Sequence, residues 1–214
     1  MILAKQKLKF AKFSLMKSEN KSENLAKMKT CVILAGGKSS RMGRDKTLLP
    51  FGGFATLTHF QVHKFAQIFD RVFVSSKFDK FNPPLRLIKD LKEAKFSPML
   101  ALYSILLNFK DEHVFIIPAD MPFLSERTIK ELFKFTGEFD MVVPKDGEFT
   151  HSLCGFFSAN LAQKAKELYE KNENKIGILR SLCRCKEVGF KGSKEFFNIN
   201  DPQQYELALK MSRQ

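Results

Sequence analysis

Residues 30–46 read Thr30-Cys31-Val32-Ile33-Leu34-Ala35-Gly36-Gly37-Lys38-Ser39-Ser40-Arg41-Met42-Gly43-Arg44-Asp45-Lys46. An apolar run short enough to be one strand passes directly into a loop of glycines and cations. A strand that is apolar throughout, with no polar alternation, belongs in a parallel sheet covered on both faces. Gly36 and Gly37 let the backbone turn tightly and bring N–H groups against phosphate oxygens. Lys38, Arg41 and Lys46 surround the loop with positive charge, which a nucleoside triphosphate requires before a nucleophile can approach it. The spacing is neither the G-x4-G-K-[ST] phosphate loop nor the G-x-G-x-x-G dinucleotide fingerprint.

Further along the chain, Arg71–Ser76, Leu85–Asp90, His113–Asp120, Met141–Asp146 and Leu153–Ser158 read as strands. Helical spacing predicts helices over Ala55–Ile68, Pro98–Phe109, Ser125–Phe135, Leu161–Lys171, Ile176–Leu182 and Gln203–Met211. Pro98 suits a first helical position, and Ser125 and Asp201 suit N-caps. The alternation predicts an α/β, Rossmann-like fold, with a mostly parallel sheet and helices on both faces. Ligands of such sheets bind beyond the carboxyl ends of the strands. Ala35–Lys46, Ser75, Asp90 and Asp120 all lie at such ends.

The 214 residues carry a net charge of +13. Residues 1–29 hold eight Lys and two Glu and so contribute +6, leaving about +7 on the rest without a dense basic run. Residues 1–28 read as a basic tail, or as a stretch upstream of a natural start at Met28; 29–214 reads as one domain. Cys31, Cys154, Cys183 and Cys185 form neither a disulfide framework nor a zinc pattern and read as reduced thiols. Lysines interrupt any secretory apolar segment at the N-terminus, and no run approaches the ~20 apolar residues of a membrane span. The expected location is the cytoplasm, with no membrane partner.

The string Leu34-Ala-Gly-Gly-Lys-Ser-Ser-Arg-Met-Gly-Arg-Asp-Lys-Thr-Leu-Leu-Pro-Phe-Gly-Gly53 resembles the N-terminal signature of the sugar-nucleotide and cofactor nucleotidyltransferases. With its double glycine it is most similar to the molybdenum cofactor guanylyltransferases, and the resemblance runs from Thr30 to about Leu209. It implies transfer of GMP from GTP to molybdopterin, with Mg²⁺ as cofactor and pyrophosphate as leaving group. It implies that Leu34, Ala35, Gly36 and Gly37 hold the nucleotide and that Lys46 binds phosphate. Asp120, in Ala119-Asp120-Met121-Pro122, takes the place of the Mg²⁺ ligand, and Asp90 that of a second nucleotide-contacting aspartate. Ser75 stands where the family often has a base-contacting Asn. Asn198 and Asn200, in Asn198-Ile-Asn-Asp-Pro202, match the segment on the pterin side. Hand-over to and from cofactor-assembly proteins and acceptor molybdoenzymes follows from the same family. Two departures stand out: Ser97-Pro-Met-Leu-Ala101 replaces a Gly-Pro-Leu-x-Gly stretch, and Ser152 follows His151 where the family has Pro. The first predicts altered acceptor contacts.

The catalytic set expected on this basis is Lys46, Arg41 and Asp120, working by positioning and electrostatics, since a phosphate nucleophile is already ionised. Arg41 reads equally as a phosphate contact or as a salt-bridge brace of the loop. His59 and His63 lie four apart, as zinc pairs do, but lack the H-E-x-x-H glutamate and read as a helix face. Three rival readings remain. One is a sister enzyme using CTP or UTP on a pterin or sugar phosphate. Another is a nucleic-acid binder, for which no recognition motif is present. The last is a homologue that binds nucleotide without turnover.

Overall fold

The computed structural model describes residues 28–37, 39–91, 96–192 and 194–213. The segment read as a tail, up to Lys27, and Lys38 lie outside them.

Eight strands form one sheet: β1 (Met28–Leu34), β2 (Phe69–Ser75), β3 (Leu87–Ile88), β4 (His113–Pro118), β5 (Met141–Asp146), β6 (Phe149–Thr150), β7 (Gly155–Ser158) and β8 (Cys185–Phe190). Their order is β3-β2-β1-β4-β7-β5-β6, with β8 also paired to β5. The β3-β2-β1-β4 half is parallel, as expected. The other half is mixed: β7 runs antiparallel to both β4 and β5, while β8 runs parallel to β5. The α/β class stands; the second half departs from the parallel expectation because β7 follows β5 through the short β6 with no helix between them and lies antiparallel between β4 and β5.

The helices are α1 (Leu57–Phe65), α2 (Pro98–Leu106), α3 (Glu126–Phe133), α4 (Ala162–Glu170), α5 (Ile176–Ser181) and α6 (Pro202–Met211). Their starts follow the expected chemistry. Ser97 caps α2 ahead of Pro98, Ser125 caps α3, and Asp201 caps α6 ahead of Pro202. Both sheet faces are covered, which explains the unbroken apolar strands. Cys31, Ile33, Phe115, Ile117 and Val142 pack with Phe65 of α1 and Ile129 and Leu132 of α3. Their strand neighbours Val32, Val114, Ile116, Met141 and Val143 pack on the opposite side with Met99 and Leu102 of α2, Ala165 of α4 and Leu179 of α5. A third cluster joins α6, through Tyr205 and Ala208, to Met42, Phe51 and Leu57.

Three expectations change at the edges. β1 begins at Met28, which is buried and paired with Phe69, so this residue belongs to the sheet and not to the preceding segment. The strand expected over Leu85–Asp90 contracts to Leu87–Ile88, because β2 offers only Val74 and Ser75 as partners. β8 was not foreseen: its half-exposed Cys-Lys-Glu-Val-Gly-Phe lacks the apolar signature of the inner strands.

Candidate active site

Register brings the expected residues together. Leu34 pairs with Ser75 on one side and Pro118 on the other, so β1, β2 and β4 end abreast. Ala35 N–H donates to Ser75 O at 2.9 Å, and Ala119 N–H to Leu34 O at 3.0 Å. The chain beyond these three ends forms a composite cleft of three compartments.

The first compartment is lined by Leu34, Gly36, Gly37, Ser75, Ser76, Asp90, Phe96, Ser97, Pro98, Ala101 and Leu153. It is narrow and mostly apolar, with polar groups at one side. Burial raises the Asp90 carboxyl above its ordinary value, partly offset by Lys77. One Asp90 oxygen, Oδ1, is buried without a hydrogen-bond partner among the described residues. An acceptor held dry in an apolar slot suits a planar heterocycle that presents N–H donors.

The second compartment is the phosphate-sized part, lined by Gly36, Gly37, Ser39, Ser40, Arg41, Lys46, Thr47, Asp120 and Asn200 among others. Gly37 has φ of 138°, which L side chains rarely adopt. A Cβ on Gly36 would meet nothing within 4 Å and would project into open space at this wall. Arg41 sits in a short 3-10 turn, Ser40–Met42, anchored by buried Met42. Among the described residues Arg41 makes no salt bridge, so the bracing alternative for it is not realised. The brace comes instead from two residues that the sequence reading did not single out. Lys80 Nζ donates to Ala35 O at 2.9 Å and to Asp45 Oδ2 at 2.6 Å. Asp45 in turn accepts from Thr47 N–H at 3.0 Å and Thr47 Oγ1 at 2.7 Å. Burial alone would raise the Asp45 carboxyl; hydrogen bonds from Lys80 and Thr47 outweigh it and hold the group below its usual range.

Lys46, next in the chain, projects across the cleft. Its ammonium donates to Asp120 Oδ2 at 2.5 Å and to Ile199 O at 2.9 Å. An ammonium has three donors, so one remains for a phosphate oxygen. Asp120 Oδ1 is buried with no hydrogen-bond partner among the described residues. Among the described residues no group of three or more His, Cys, Asp or Glu gathers as a metal cage. One orphan carboxylate oxygen still fits Mg²⁺, which takes one or two carboxylates and completes its shell with substrate phosphates and water.

The third compartment, which shares Pro118, Leu153 and Asn200 with the second, is lined by Phe149, His151, Leu153, Cys154, Asn174, Lys175, Asn198 and Asn200, with others. Asn198 Nδ2 donates to Phe196 O at 3.0 Å. The His151 ring stacks on Phe196, with centroids 4.8 Å apart, and meets the exposed Phe149 edge-on. Burial holds the His151 imidazole below its usual pKa, partly offset by Asp146. Asn200 borders the second and third compartments, and Leu153 borders all three.

Of the expected residues, Leu34, Gly36, Gly37, Arg41, Lys46, Ser75, Asp90, Asp120, Asn198 and Asn200 all line this composite cleft. Ala35 does not: it is fully buried, and its contribution is the carbonyl held by Lys80. His59 is spent on structure, with Nδ1 on Thr56 Oγ1 at 2.7 Å and Nε2 on Pro83 O at 2.9 Å. Ser97, the departure from the family glycine, caps α2 and donates a short hydrogen bond to Asn174 Oδ1, tying the first compartment to the third.

Compared with known proteins, residues 31–187 match the family described as the MobA-like NTP transferase domain. A molybdenum cofactor guanylyltransferase of Campylobacter jejuni is 47% identical over 178 residues, covering 82% of this chain and 93% of the relative. One from Helicobacter pylori is 27% identical over 190 residues, covering 86% and 93%. Among solved structures, molybdopterin-guanine dinucleotide biosynthesis protein A from Archaeoglobus fulgidus superposes with a TM-score of 0.71 at 19% identity, over 86% of this chain and 98% of that one. The 2-C-methyl-D-erythritol 4-phosphate cytidylyltransferase of Thermus thermophilus gives 0.66 at 18%, over 87% and 100%. At these identities the structural likenesses bear on the fold alone.

Proposed function

The chain belongs to the MobA-like NTP transferase family and to its molybdenum cofactor guanylyltransferases, and we propose that its three compartments take guanine, triphosphate and molybdopterin in turn. The reaction joins a terminal phosphate oxygen of molybdopterin to the α-phosphorus of GTP and breaks the bond to the β-phosphate, releasing pyrophosphate. The observation that carries this reading is the pairing of Lys46 with Asp120 in the second compartment, with one oxygen of that carboxylate left without a partner among the described residues.

In this reading Asp90 accepts from the guanine edge, whose adjacent ring and amino N–H groups suit a carboxylate better than the single amino donor of cytosine. Gly36 and Gly37 admit the phosphates close to the backbone. Lys46 and Arg41 stabilise charge that builds on the departing pyrophosphate. Asp120 would hold Mg²⁺, which when bound neutralises phosphate charge and helps align the reacting groups. Asn198 and Asn200 orient the acceptor. No side chain need act as a general base, because the attacking phosphate is already anionic. Free thiols at Cys31, Cys154, Cys183 and Cys185 are in keeping with a cytoplasmic place of action. Among the described residues no helix is long and apolar enough to cross a membrane.

Replacing Asp120 by Asn tests the assignment. Turnover should fall by roughly two to three orders of magnitude, while calorimetric binding of GTP without Mg²⁺ stays close to wild type. Near-normal Mg²⁺-dependent turnover in that variant would remove Asp120 from the chemistry. Titration with GTP, CTP, UTP and ATP tests the base: GTP should bind most tightly, and a preference for CTP or UTP would assign the chain to a sister activity.

A further inference from the structure

Asp120 lies just past the end of β4, in Pro118-Ala-Asp-Met-Pro122, where the ladder between strands has stopped. Backbone carbonyls there need partners of other kinds, and all four from Ala119 to Pro122 have one. Gln61, fully buried on α1, donates its amide N–H groups to Ala119 O at 3.3 Å and to Met121 O at 3.0 Å. Asp120 O accepts from Ile199 N–H at 2.9 Å. Lys64, three residues further along α1, donates to Pro122 O at 2.8 Å. Both partners of Gln61 are carbonyls, so its amide nitrogen must be the atom that faces them. Its own oxygen, Oε1, is buried with no hydrogen-bond partner among the described residues. That orphan acceptor costs stability, and an apolar side chain of the same size would avoid the cost. What the amide supplies in return is a pair of hydrogen bonds to the two residues flanking Asp120.

We infer that Gln61 is a positioning residue for nucleotidyl transfer, tying down the carbonyls of Ala119 and Met121, the residues on either side of Asp120, so that its carboxylate enters the cleft in one orientation. The inference rests on the reading of Asp120 as the metal carboxylate. A carboxylate at a strand end has one free backbone angle on each side of its Cα, and a rotation of a few tens of degrees there swings its oxygens by more than a metal site tolerates. Gln61 removes that freedom from behind, across the sheet edge, without touching any ligand. Lys64 extends the clamp to Pro122.

The test uses Mn²⁺, titrated onto the full chain in the presence of a GTP analogue with a methylene group between the α- and β-phosphorus, the free ion being read by electron paramagnetic resonance. Gln61→Leu keeps the volume and removes the donors; Gln61→Met does the same with a more adaptable chain, should the first fold poorly. Both should weaken Mn²⁺ binding roughly tenfold, the scale of lost outer contacts at metal sites. The same variants should lower kcat by a similar factor with KM for the acceptor unchanged. Phe65→Leu, a core change on the same helix, controls for general damage: it should lower Tm and leave Mn²⁺ affinity intact. Wild-type Mn²⁺ affinity in both Gln61 variants, or an equal loss in Phe65→Leu, overturns the positioning role. Asp120→Asn separates the two levels. Lost Mn²⁺ binding there with none lost in the Gln61 variants refutes the clamp alone, whereas unchanged binding in Asp120→Asn refutes the metal reading and the clamp with it.

Discussion

Asp90 combines a raised carboxyl pKa, caused first by burial, with an oxygen that has no partner. A carboxyl whose folded value lies above 3.8 favours the folded state while protonated, and that contribution is lost as pH rises through the raised value. At neutral pH the ionised group therefore weighs against folding. Asp90→Asn should raise Tm near pH 7, with the gain fading as pH falls toward 4, and should weaken GTP binding by about tenfold or more; melting curves across pH and calorimetry check the two halves. Gly155 shows the opposite constraint. Its φ is 151°, and a Cβ there would collide with the Val142 carbonyl oxygen on the neighbouring strand. Gly155→Ala should cost roughly 3 kcal/mol or more in urea unfolding, because β7 is held between β4 and β5 and cannot back away.

Among the elements, α2 carries the most informative departure from the family pattern. Ser97 spends its hydroxyl twice, accepting from Leu100 N–H at 3.1 Å and donating to Asn174. Ser97→Ala should lower stability by about 1 kcal/mol, and Ser97→Gly by only a few tenths. Both should raise KM for the acceptor more than KM for GTP, because Asn174 lines the compartment proposed for the acceptor; steady-state kinetics with each substrate varied would show it. That measurement decides whether the departure at Ser97 alters acceptor contacts. The sequence shows which strands end in chemistry, since Gly36, Ser75 and Asp120 follow apolar runs that only a covered sheet accommodates. It does not show what braces them. Gln61 acts on two backbone carbonyls, and Lys80 on one carbonyl and the Asp45 carboxylate, all far along the chain; such bonds depend on the folded path and leave no mark in residue type. β8 was hidden for a related reason. It pairs at one side of β5 with half-exposed residues, so no apolar run announced it.

At the scale of the molecule, the three compartments adjoin one another through shared walls, and Leu153 borders all of them. On the proposed assignment each substrate occupies some of the compartments, and the dinucleotide formed from them spans the set. A ligand that engages linked subsites with one covalent body gains the advantage of effective concentration over either half alone. The consequence is a slow exit. The product should dissociate more slowly than bonds are made, so that a rapid-quench experiment shows a burst of pyrophosphate close to one equivalent per enzyme before the steady rate sets in. A recipient protein that draws the product off should then raise the steady rate while leaving the burst amplitude unchanged, and the same experiment with such a recipient added would show whether hand-over occurs.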